Sequence, residues 1–288
     1  MKSAGIESEK VIRRRGDGEL EYQPDELTVE EPLEIRIGRK TLAITMRTPG
    51  HDEELAAGFL LSEAIVRSAD EITKISRPRS ARNKDNIVRV ELRVGINIPS
   101  ESVHRFGSIT TSCGICGKDS VDAVRQNFPA IQLETNVRIS TERLLALPTL
   151  LRKHQGNFAR TGGIHAAAVF DLEGNVLFVR EDIGRHNAVD KVIGRALLDH
   201  TVPLNRHGLL VSGRASFEIA QKALAAGIPI VASVSAPSTL AVSFCRESNQ
   251  TLIGFLRPPS FNIYSHVQRV MLESGQHAKQ KDTPKHAK

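Results

Sequence analysis

Residues 209–233 read LLVSGRASFEIAQKALAAGIPIVAS, and this stretch decides the fold. Residues 209–211 form a short apolar run that is typical of a buried strand. Residues 215–226 have helical spacing and stop at Gly227, because glycine readily takes the left-handed conformation that closes a helix. Residues 228–233 form a second apolar run. Strand, helix and strand in this order predict a βαβ unit with parallel strands.

The alternation of strands and helices continues on both sides of this unit. Upstream we predict two strands around a turn, a helix from about Arg185, and a helical segment interrupted or restarted at Pro148. Downstream we predict a helix, a strand and a last edge strand. The upstream segments are 140–155, 164–170 and 176–180, and the downstream ones are 238–246, 251–256 and 261–264. The pattern predicts an α/β domain over residues 139–270, with a mostly parallel sheet covered on both sides.

The N-terminal half has a different pattern. Residues 33–37 and 42–46 alternate apolar and polar side chains around a short turn, which predicts a β-hairpin. Asp52, Glu53 and Glu54 then load the first turn of a helix, where the macrodipole favours acidic side chains. With a further strand at 87–94, residues 31–138 form a small α+β domain, so the chain is α/β in class and α+β overall. We expect residues 1–30 to be a mobile leader and the basic segment 271–288 to be a disordered tail.

Composition excludes several classes of protein. Apolar residues make up 40% and charged residues 25% of the chain, as in globular domains. The first twenty residues have no apolar block, and the most apolar region, 223–242, is broken by Gly, Pro and Ser. We therefore expect no signal peptide, no membrane span and a cytoplasmic location. The net charge of +6 suits an anionic partner, but no basic stripe with interleaved aromatics indicates nucleic acid.

Residues 110–118, TTSCGICGK, hold two of the three cysteines of the chain, Cys113 and Cys116. Glycine follows each of them, and Lys118 favours the nucleophilic thiolate. Structural zinc needs four ligands, whereas this pair supplies two and Cys245 stands apart, so we predict no zinc. A dithiol redox pair, a persulfide carrier and two inert loop cysteines remain as alternatives, and the carrier is only narrowly favoured on these residues.

Three strand ends carry small, hydroxyl or basic residues just before a helix. They are residues 181–187 (EDIGRHN), 212–216 (SGRAS) and 233–239 (SVSAPST). Each is compatible with ordinary helix capping. Because the strand ends should open on the same edge of the sheet, the three together predict a site for an anionic ligand.

His165 lies in the run TGGIHAA, residues 161–167. Zinc deaminases use a His-x-Glu sequence followed downstream by a Cys pair. Here Ala167 stands at the position of the glutamate, and the Cys pair lies upstream. Deamination is therefore rejected, and His165 is predicted to be structural or to contact a ligand.

Five motifs occur together and in order, and with them the chain closely resembles the FdhD family of sulfur carriers, which are needed for formate dehydrogenase activity. The motifs are 51–60 (HDEELAAGFL), 111–118 (TSCGICGK), 161–166 (TGGIHA), 181–191 (EDIGRHNAVDK) and 212–214 (SGR). The resemblance covers roughly residues 31–264. It implies a small N-terminal domain beside a cytidine-deaminase-like, three-layer α/β domain that lacks the zinc site.

The resemblance also implies a function, that of a sulfurtransferase. Members take sulfur as a persulfide from a cysteine desulfurase and deliver it to the molybdenum cofactor, as bis-molybdopterin guanine dinucleotide. Delivery precedes insertion of the cofactor into the catalytic subunit of formate dehydrogenase. The resemblance also implies that the protein is a homodimer. A non-catalytic chaperone that only binds and docks the cofactor is the alternative.

The site residues follow by position in the motifs. The carrier cysteine of the family falls on Cys113 and the second motif cysteine on Cys116. The cofactor-binding stretch falls on Leu252, Ile253, Gly254, Phe255, Leu256 and Arg257. We expect guanine nucleotide to bind where this strand meets Arg185, His186, Ser212 and Arg214, since arginine side chains match phosphate oxygens. Gly254 would let a flat ring approach the backbone, and Phe255 would pack on it.

Overall fold

The computed structural model describes residues 5–78, 84–96, 127–133 and 136–272. The N-terminal part of this chain begins with the paired strands β1 (Ile6–Arg14) and β2 (Leu20–Thr28). A four-stranded sheet follows, built from β3 (Glu31–Ile37), β4 (Lys40–Arg47), β5 (Ile72–Ser76) and β6 (Ile87–Leu92) in the order β4-β3-β6-β5. Helix α1 (Asp52–Ser62) lies between β4 and β5 in sequence and carries the three predicted acidic residues in its first turn.

The C-terminal part is built on a six-stranded sheet with the order β13-β12-β11-β10-β8-β9. Its strands are β8 (His165–Asp171), β9 (Val176–Asp182), β10 (His207–Val211), β11 (Ile230–Ser233), β12 (Thr251–Arg257) and β13 (Ser260–Ser265). Its helices are α2 (Thr141–Lys153), α3 (Gly156–Thr161), α4 (Arg185–Leu198), α5 (Phe217–Ala225) and α6 (Thr239–Glu247). The α/β class predicted from the sequence is confirmed.

Two apolar clusters pack on opposite faces of the six-stranded sheet. Alternate residues of β8 show the division, since Ala167 and Val169 belong to one cluster and Ala168 and Phe170 to the other. The first cluster also contains residues of α1, α4, α5 and α6 and of the four-stranded sheet. The second contains Leu144, Leu147 and Leu151 of α2. The sheet is therefore covered by helices on both sides, as predicted.

Helices α1 and α4 cross in backbone contact. A Cβ on Gly194 would lie 1.8 Å from the carbonyl oxygen of Glu54, and one on Gly58 would lie 1.9 Å from that of Asp190. Both positions therefore require glycine, since any side chain would push the helices apart. This crossing joins the N-terminal motif 51–60 to the block 181–191, which were quoted separately in the sequence.

The sequence predicted a mobile leader over residues 1–30, and the structure differs there. Strands β1 and β2 pair over their full length, from Ile6 with Thr28 to Arg14 with Leu20. A turn containing Asp17 and Gly18 connects them, and Gly18 has a φ of 95°. An Asp-Gly pair between two strand-forming runs favours a hairpin, whereas the high charge of this segment had favoured a mobile leader.

Three further details differ from the sequence prediction. Helix α2 runs without a break through Pro148, because its three buried leucines hold it on the sheet despite the lost hydrogen bond. The sheet is mixed rather than mostly parallel, since only β10, β11 and β12 are mutually parallel. Two-residue strands β7 (Ile139–Ser140) and β14 (Val270–Met271) pair, so regular structure extends to Met271, one residue into the predicted tail.

Cys245 lies in α6 with no exposed surface, and burial raises the pKa of its thiol to about 12. Over the ranges given above, the helices are all too short or too polar to cross a membrane.

Candidate functional site

The three predicted corners do open on one edge of the six-stranded sheet. Strands β10, β11 and β12 are parallel and end together, and β9 also ends there because His165 at the start of β8 pairs with Asp182 at the end of β9. The loops after β9, β10 and β11 lead into α4, α5 and α6, whereas β12 turns back into β13. We call this the carboxyl edge of the sheet.

Hydrogen bonds to backbone carbonyl oxygens connect the loops of the carboxyl edge. Ser233 Oγ donates to the carbonyl oxygen of Gly213 at 2.7 Å, and the amide of Ser238 donates to that of Ala215 at 3.0 Å. From β12, the amide of Phe255 donates to Ser235 O at 3.0 Å and Arg257 Nε donates to Val234 O at 2.9 Å. The edge is therefore held in one arrangement before any ligand arrives.

A cavity of about 910 Å³ opens at this edge, between α2, α3 and the strand ends. Its apolar wall includes Leu151, Phe158, Ile164 and Ile183, and its polar lining includes His165, Ser212 and Gln155. Arg152 and Lys153 add two positive charges, and none of the described residues that line the cavity is acidic. The volume lies in the range of pockets that take small molecules and cofactors, and the charge favours an anion.

Arg185 and His165 lie close together at the carboxyl edge. Gly213 lies between them, because a Cβ at Gly213 would lie 3.2 Å from His165 Nδ1 and 3.6 Å from Arg185 Cβ. Arg185 Nε is buried and has no hydrogen-bond partner among the residues the structure describes. Burial, reinforced by the charges of Arg185 and His186, lowers the pKa of His165, so its imidazole is neutral at pH 7. An anionic ligand could accept a hydrogen bond from this guanidinium nitrogen.

His186 follows Arg185 but faces the protein interior. Its Nε2 lies 2.7 Å from Glu218 Oε2 and 3.2 Å from Ser216 Oγ, and the residue is buried. Burial raises the pKa of Glu218, but the hydrogen bond with His186 and the positive charges of His186, Lys222 and Arg185 together outweigh it, so the net shift is downward. His186 therefore ties the start of α4 to the start of α5 and has no free face for a ligand.

The rest of the block 181–191 holds the two parts of the molecule together. Lys191 Nζ lies 2.7 Å from Asp182 Oδ2 and donates to the carbonyl oxygen of Thr48 at 2.9 Å. Asp182 also accepts from the amides of Thr48 and Gly184, and Asn187 donates to Met46 O. These contacts link the end of β9 to the end of β4. Most of the polar side chains in this motif are therefore structural.

The stretch 252–257 is divided between core and surface. Leu252, Ile253 and Leu256 are fully buried, so their side chains cannot reach a ligand. The predicted opening at Gly254 is filled by the protein itself, since a Cβ there would lie 2.8 Å from Pro237 Cδ and 2.9 Å from Tyr264 Cε2. Phe255 is 43% exposed and has a φ of 52°, a conformation that non-glycine residues rarely adopt. Of the stretch, Phe255 and Arg257 present side chains to solvent.

Arg214 is exposed on the loop between β10 and α5. Two of the hydroxyls act as acceptors, since Ser212 Oγ accepts from the amide of Ala166 and Ser238 Oγ accepts from that of Ala241, whereas Ser233 Oγ donates to backbone oxygens. Ser212 and Ser238 therefore keep a hydroxyl hydrogen for a phosphate oxygen, and they are candidates for phosphate contact together with Arg214.

The predicted carrier residues Cys113 and Cys116 lie outside the described residues. Within the described part of the chain, no group of three or more His, Cys, Asp or Glu side chains is placed to hold a metal ion. Because the motif cysteines fall outside that part, the absence of zinc stays a prediction.

Sequence reasoning missed one wall of the site. Arg152, Lys153, Gln155 and Phe158 reach the edge from the end of α2 and from α3, and Arg152 stacks on Phe158 with 4.0 Å between the guanidinium carbon and the ring centroid. The adjacent glycines of the run 161–167 were the only local signal, since an open Gly-Gly turn beside a helix end leaves room for a cavity.

Fold and edge together define a class: a three-layer α/β protein with a cationic cavity at the carboxyl edge of a mixed sheet. The FdhD/NarQ family model matches residues 28–271, and the chain belongs to this family.

Curated relatives extend the match over nearly the whole chain. A protein named sulfur carrier protein FdhD from Streptomyces avermitilis is 52% identical over 273 residues, which cover 93% of this chain and 96% of the relative. Proteins of the same name are 46% identical in Mycolicibacterium paratuberculosis, with 92% and 99% covered, and 42% identical in Sulfurisphaera tokodaii, with 91% and 98% covered.

A solved structure shares the fold. It is a crystal structure described as that of a proposed formate dehydrogenase accessory protein from Desulfotalea psychrophila, with a TM-score of 0.74 and 21% identity. The match covers 93% of this chain and all of that chain.

Proposed function

We propose that this chain is a sulfur carrier that serves the maturation of formate dehydrogenase in the cytoplasm. The observation that carries the proposal is the near full-length similarity to proteins named sulfur carrier protein FdhD, at 52% identity for the Streptomyces avermitilis protein. The motif cysteines Cys113 and Cys116 are the residues of this sequence that could hold transferable sulfur.

The chemistry we propose begins with the Cys113 thiolate. It attacks the terminal sulfur of a persulfide on a cysteine desulfurase, the sulfur–sulfur bond breaks, and the desulfurase cysteine leaves as a thiolate. Cys113 then carries the sulfur as its own persulfide. Attack by the Cys116 thiolate on the Cys113 sulfur would form a disulfide and release the terminal sulfur as hydrosulfide, with the two thiols supplying the electrons.

The acceptor in this proposal is the molybdenum cofactor, as bis-molybdopterin guanine dinucleotide, bound as a substrate before it enters the catalytic subunit of formate dehydrogenase. The carboxyl edge fits the anionic part of such a substrate. Arg185 Nε has no partner there among the described residues, Arg214 and Arg257 are exposed, and Phe255 offers an exposed ring. Phosphate groups suit arginine forks, and a purine suits an aromatic face.

The first experiment tests the sulfur step. The intact mass of the purified protein is measured after incubation with a cysteine desulfurase and cysteine. We expect the wild type to gain one sulfur atom, and Cys113→Ala to gain none and to support no formate dehydrogenase maturation. Cys116→Ala should mature the enzyme only partly.

The alternative function is a non-catalytic chaperone that binds the cofactor and docks it onto the dehydrogenase. That reading also needs the carboxyl edge but not Cys113. Full maturation of formate dehydrogenase by a correctly folded Cys113→Ala variant would favour the chaperone and reject the carrier. Zinc analysis of gently purified protein is a second check, since stoichiometric zinc that survives dialysis would give the cysteines a structural role instead.

A further inference from the structure

Gln155 is a buried residue whose side-chain amide has no hydrogen-bond partner among the described residues. It lies between α2 and α3, lines the cavity at the carboxyl edge and is 5% exposed. Its hydrogen bonds within the described chain involve its backbone alone, to Arg152 O and from the amide of Ala159. An amide side chain can both donate and accept, and buried polar groups are normally paired. The Gln155 amide is therefore available to a ligand in the cavity.

The other two glutamines that are buried in the described chain show how the fold pairs such a side chain. Gln221 Nε2 donates to a backbone carbonyl oxygen of α1 at 3.3 Å. Gln250 Nε2 donates to Ile228 O at 3.0 Å, and its Oε1 accepts from Ser248 Oγ at 3.0 Å. Neither of them lines the cavity. Of the three, the glutamine with the unpaired amide is thus the one beside the cavity.

Capping of α3 does not account for Gln155. The residue directly precedes this helix, but its side chain makes no capping hydrogen bond. The amides of Asn157 and Phe158, which a cap would satisfy, donate instead to the Glu181 carboxylate at 3.0 and 2.9 Å. Because Glu181 takes the place of the cap, the Gln155 side chain has no role in closing the helix.

The cavity beside Gln155 has a neutral interior and a cationic rim. Its wall includes Leu151 and Ile164, which are buried. Arg152 and Lys153 are the cationic residues among its described lining, and both are exposed. Placing a phosphate group against the apolar wall would bury a charge at high cost, whereas an uncharged planar ring fits there. A ligand with both parts would therefore place its ring inside and its phosphate groups at the edge.

We propose that Gln155 binds the ring of the ligand, and that this ring is a planar heterocycle with a carbonyl group next to a ring N–H. The amide nitrogen of Gln155 donates to the ring carbonyl, and the amide oxygen accepts from the ring N–H, so two hydrogen bonds form side by side. Guanine and pterin share this pair of groups, and both occur in the substrate proposed above. The choice of ring rests on that proposed function.

Calorimetry on the full chain tests the inference with GDP, pterin and inorganic pyrophosphate as probes. Gln155→Leu keeps a side chain of similar size and removes both hydrogen bonds. We expect it to bind the ring that enters the cavity at least about tenfold more weakly than the wild type does, because the ring groups lose their partners. Its affinity for pyrophosphate, which has no ring, should stay within about twofold. A loss for GDP alone assigns guanine to the cavity, and a loss for pterin alone assigns pterin.

Gln221→Leu is the matched control, since it makes the same chemical change at a buried glutamine away from the cavity. It removes a hydrogen bond within the fold, so it should lower the denaturant midpoint and leave the affinity for both rings unchanged. Gln155→Leu should do the reverse, because its amide has no partner to lose. Gln155→Glu, which keeps the shape but cannot donate, should also weaken binding of the ring.

Two results would overturn the inference. One is equal affinity of the wild type and Gln155→Leu for both rings, including the case in which neither ring binds better than pyrophosphate. The other is an equal loss for pyrophosphate and the rings, which would indicate a general effect on the fold. The mass gain at Cys113 is a separate readout: a protein that gains sulfur but binds neither ring rejects this inference and leaves the carrier proposal standing, and ring binding without sulfur gain does the opposite.

Discussion

The two sides of α4, the helix that begins at Arg185, differ in whether their charged groups are paired within the fold. On the side facing β4 and α1, Asp182 and Lys191 are buried and bonded to each other and to backbone groups. On the side facing the carboxyl edge, Arg185 has a buried nitrogen without a partner among the described residues, and the neighbouring His165 lacks a positive charge at pH 7. One contiguous motif thus combines a side whose charged groups are paired within the fold and a side that we propose for ligand binding, where a guanidinium nitrogen has no partner among the described residues.

On the cohesive side, Lys191→Met should lower the free energy of unfolding most. It leaves the Asp182 carboxylate buried without its ion partner, which should cost about 3–5 kcal/mol of unfolding free energy. Denaturant titration at pH 7 measures the loss. Adding Asp182→Asn should recover part of it, because no buried charge remains unpaired. A Lys191→Met protein as stable as the wild type would contradict the assignment.

The helix crossing is the second way to break that side. Gly194→Ala puts a methyl group 1.8 Å from the Glu54 carbonyl oxygen, so α1 and α4 must move apart. We expect a loss of about 3 kcal/mol, at the upper end of the cost of overpacking. Gly156→Ala is the control, since nothing lies near its Cβ position, and it should stay within about 0.5 kcal/mol of the wild type. Equal denaturation midpoints for the two variants would refute the crossing.

Acid should weaken the same interface through Glu54. Burial raises the pKa of Glu54, but hydrogen bonds with Arg180 and His51 and their charges outweigh it and lower the pKa to about 2. A carboxyl with a lowered pKa contributes stability that is fully present above about pH 4.5 and lost as the pH falls towards 2. The contribution is roughly 2–3 kcal/mol. Denaturation of Glu54→Gln should therefore differ from wild type at pH 7 and converge with it near pH 2; a constant difference would contradict this.

The binding side is tested by affinity rather than stability. Arg185→Ala and Arg214→Ala each remove a charged hydrogen bond worth about 1.5–3 kcal/mol, or a tenfold to hundredfold loss of affinity for GDP. Calorimetry with GDP, as the soluble part of the proposed substrate, measures it. Arg246→Ala on the far end of α6 is the matched control. If GDP binds no better than inorganic phosphate, or binds all variants equally, the nucleotide does not bind at this edge.

The smallest effect concerns His165. Its pKa lies below the ordinary value of 6.5, so it gains positive charge only in acid. Arg185 and His186 oppose that charge, and Asp182 favours it. GDP affinity should rise as the pH falls into the acid range, by less than about tenfold, since one added charge near solvent contributes about 1 kcal/mol. His165→Asn should lose that increment in a matched titration, and an unchanged increment would place His165 away from the ligand.

Much of the fold was predictable because its elements have clear periodicity. The run at 209–211 and the helix closed by Gly227 appear where the sequence indicated, and Gly227 has the expected positive φ of 73°. The tight turn between β8 and β9 marks them as an antiparallel pair. The position of β8 between β9 and β10, which makes β8 antiparallel to β10, was not predictable because no local pattern gives the order of strands in a sheet. Pro148 misled because tertiary packing of three leucines overrides a local penalty.

The site was predictable in place but not in detail. Strand order alone brings the three corners to one edge. Which serines were already engaged depended on contacts across 20 and 46 residues, from Ser233 to Gly213 and from Ser212 to Ala166. Alternation along β12 could not have placed Leu252 and Leu256, because the register shifts of this strand put the two leucines in the apolar clusters on opposite faces of the sheet. Arg152 and Lys153 reach the cavity only because α2 packs across the sheet, which no local pattern encodes.

The burial of Cys245 has a consequence for selective labelling. A thiol with no exposed surface and a pKa near 12 is almost entirely protonated at neutral pH, and reagents cannot reach it in the folded state. Alkylation of the native protein therefore leaves Cys245 silent, and every label added to the folded chain reports on Cys113 or Cys116. Cys245 therefore need not be replaced in experiments that label the motif cysteines.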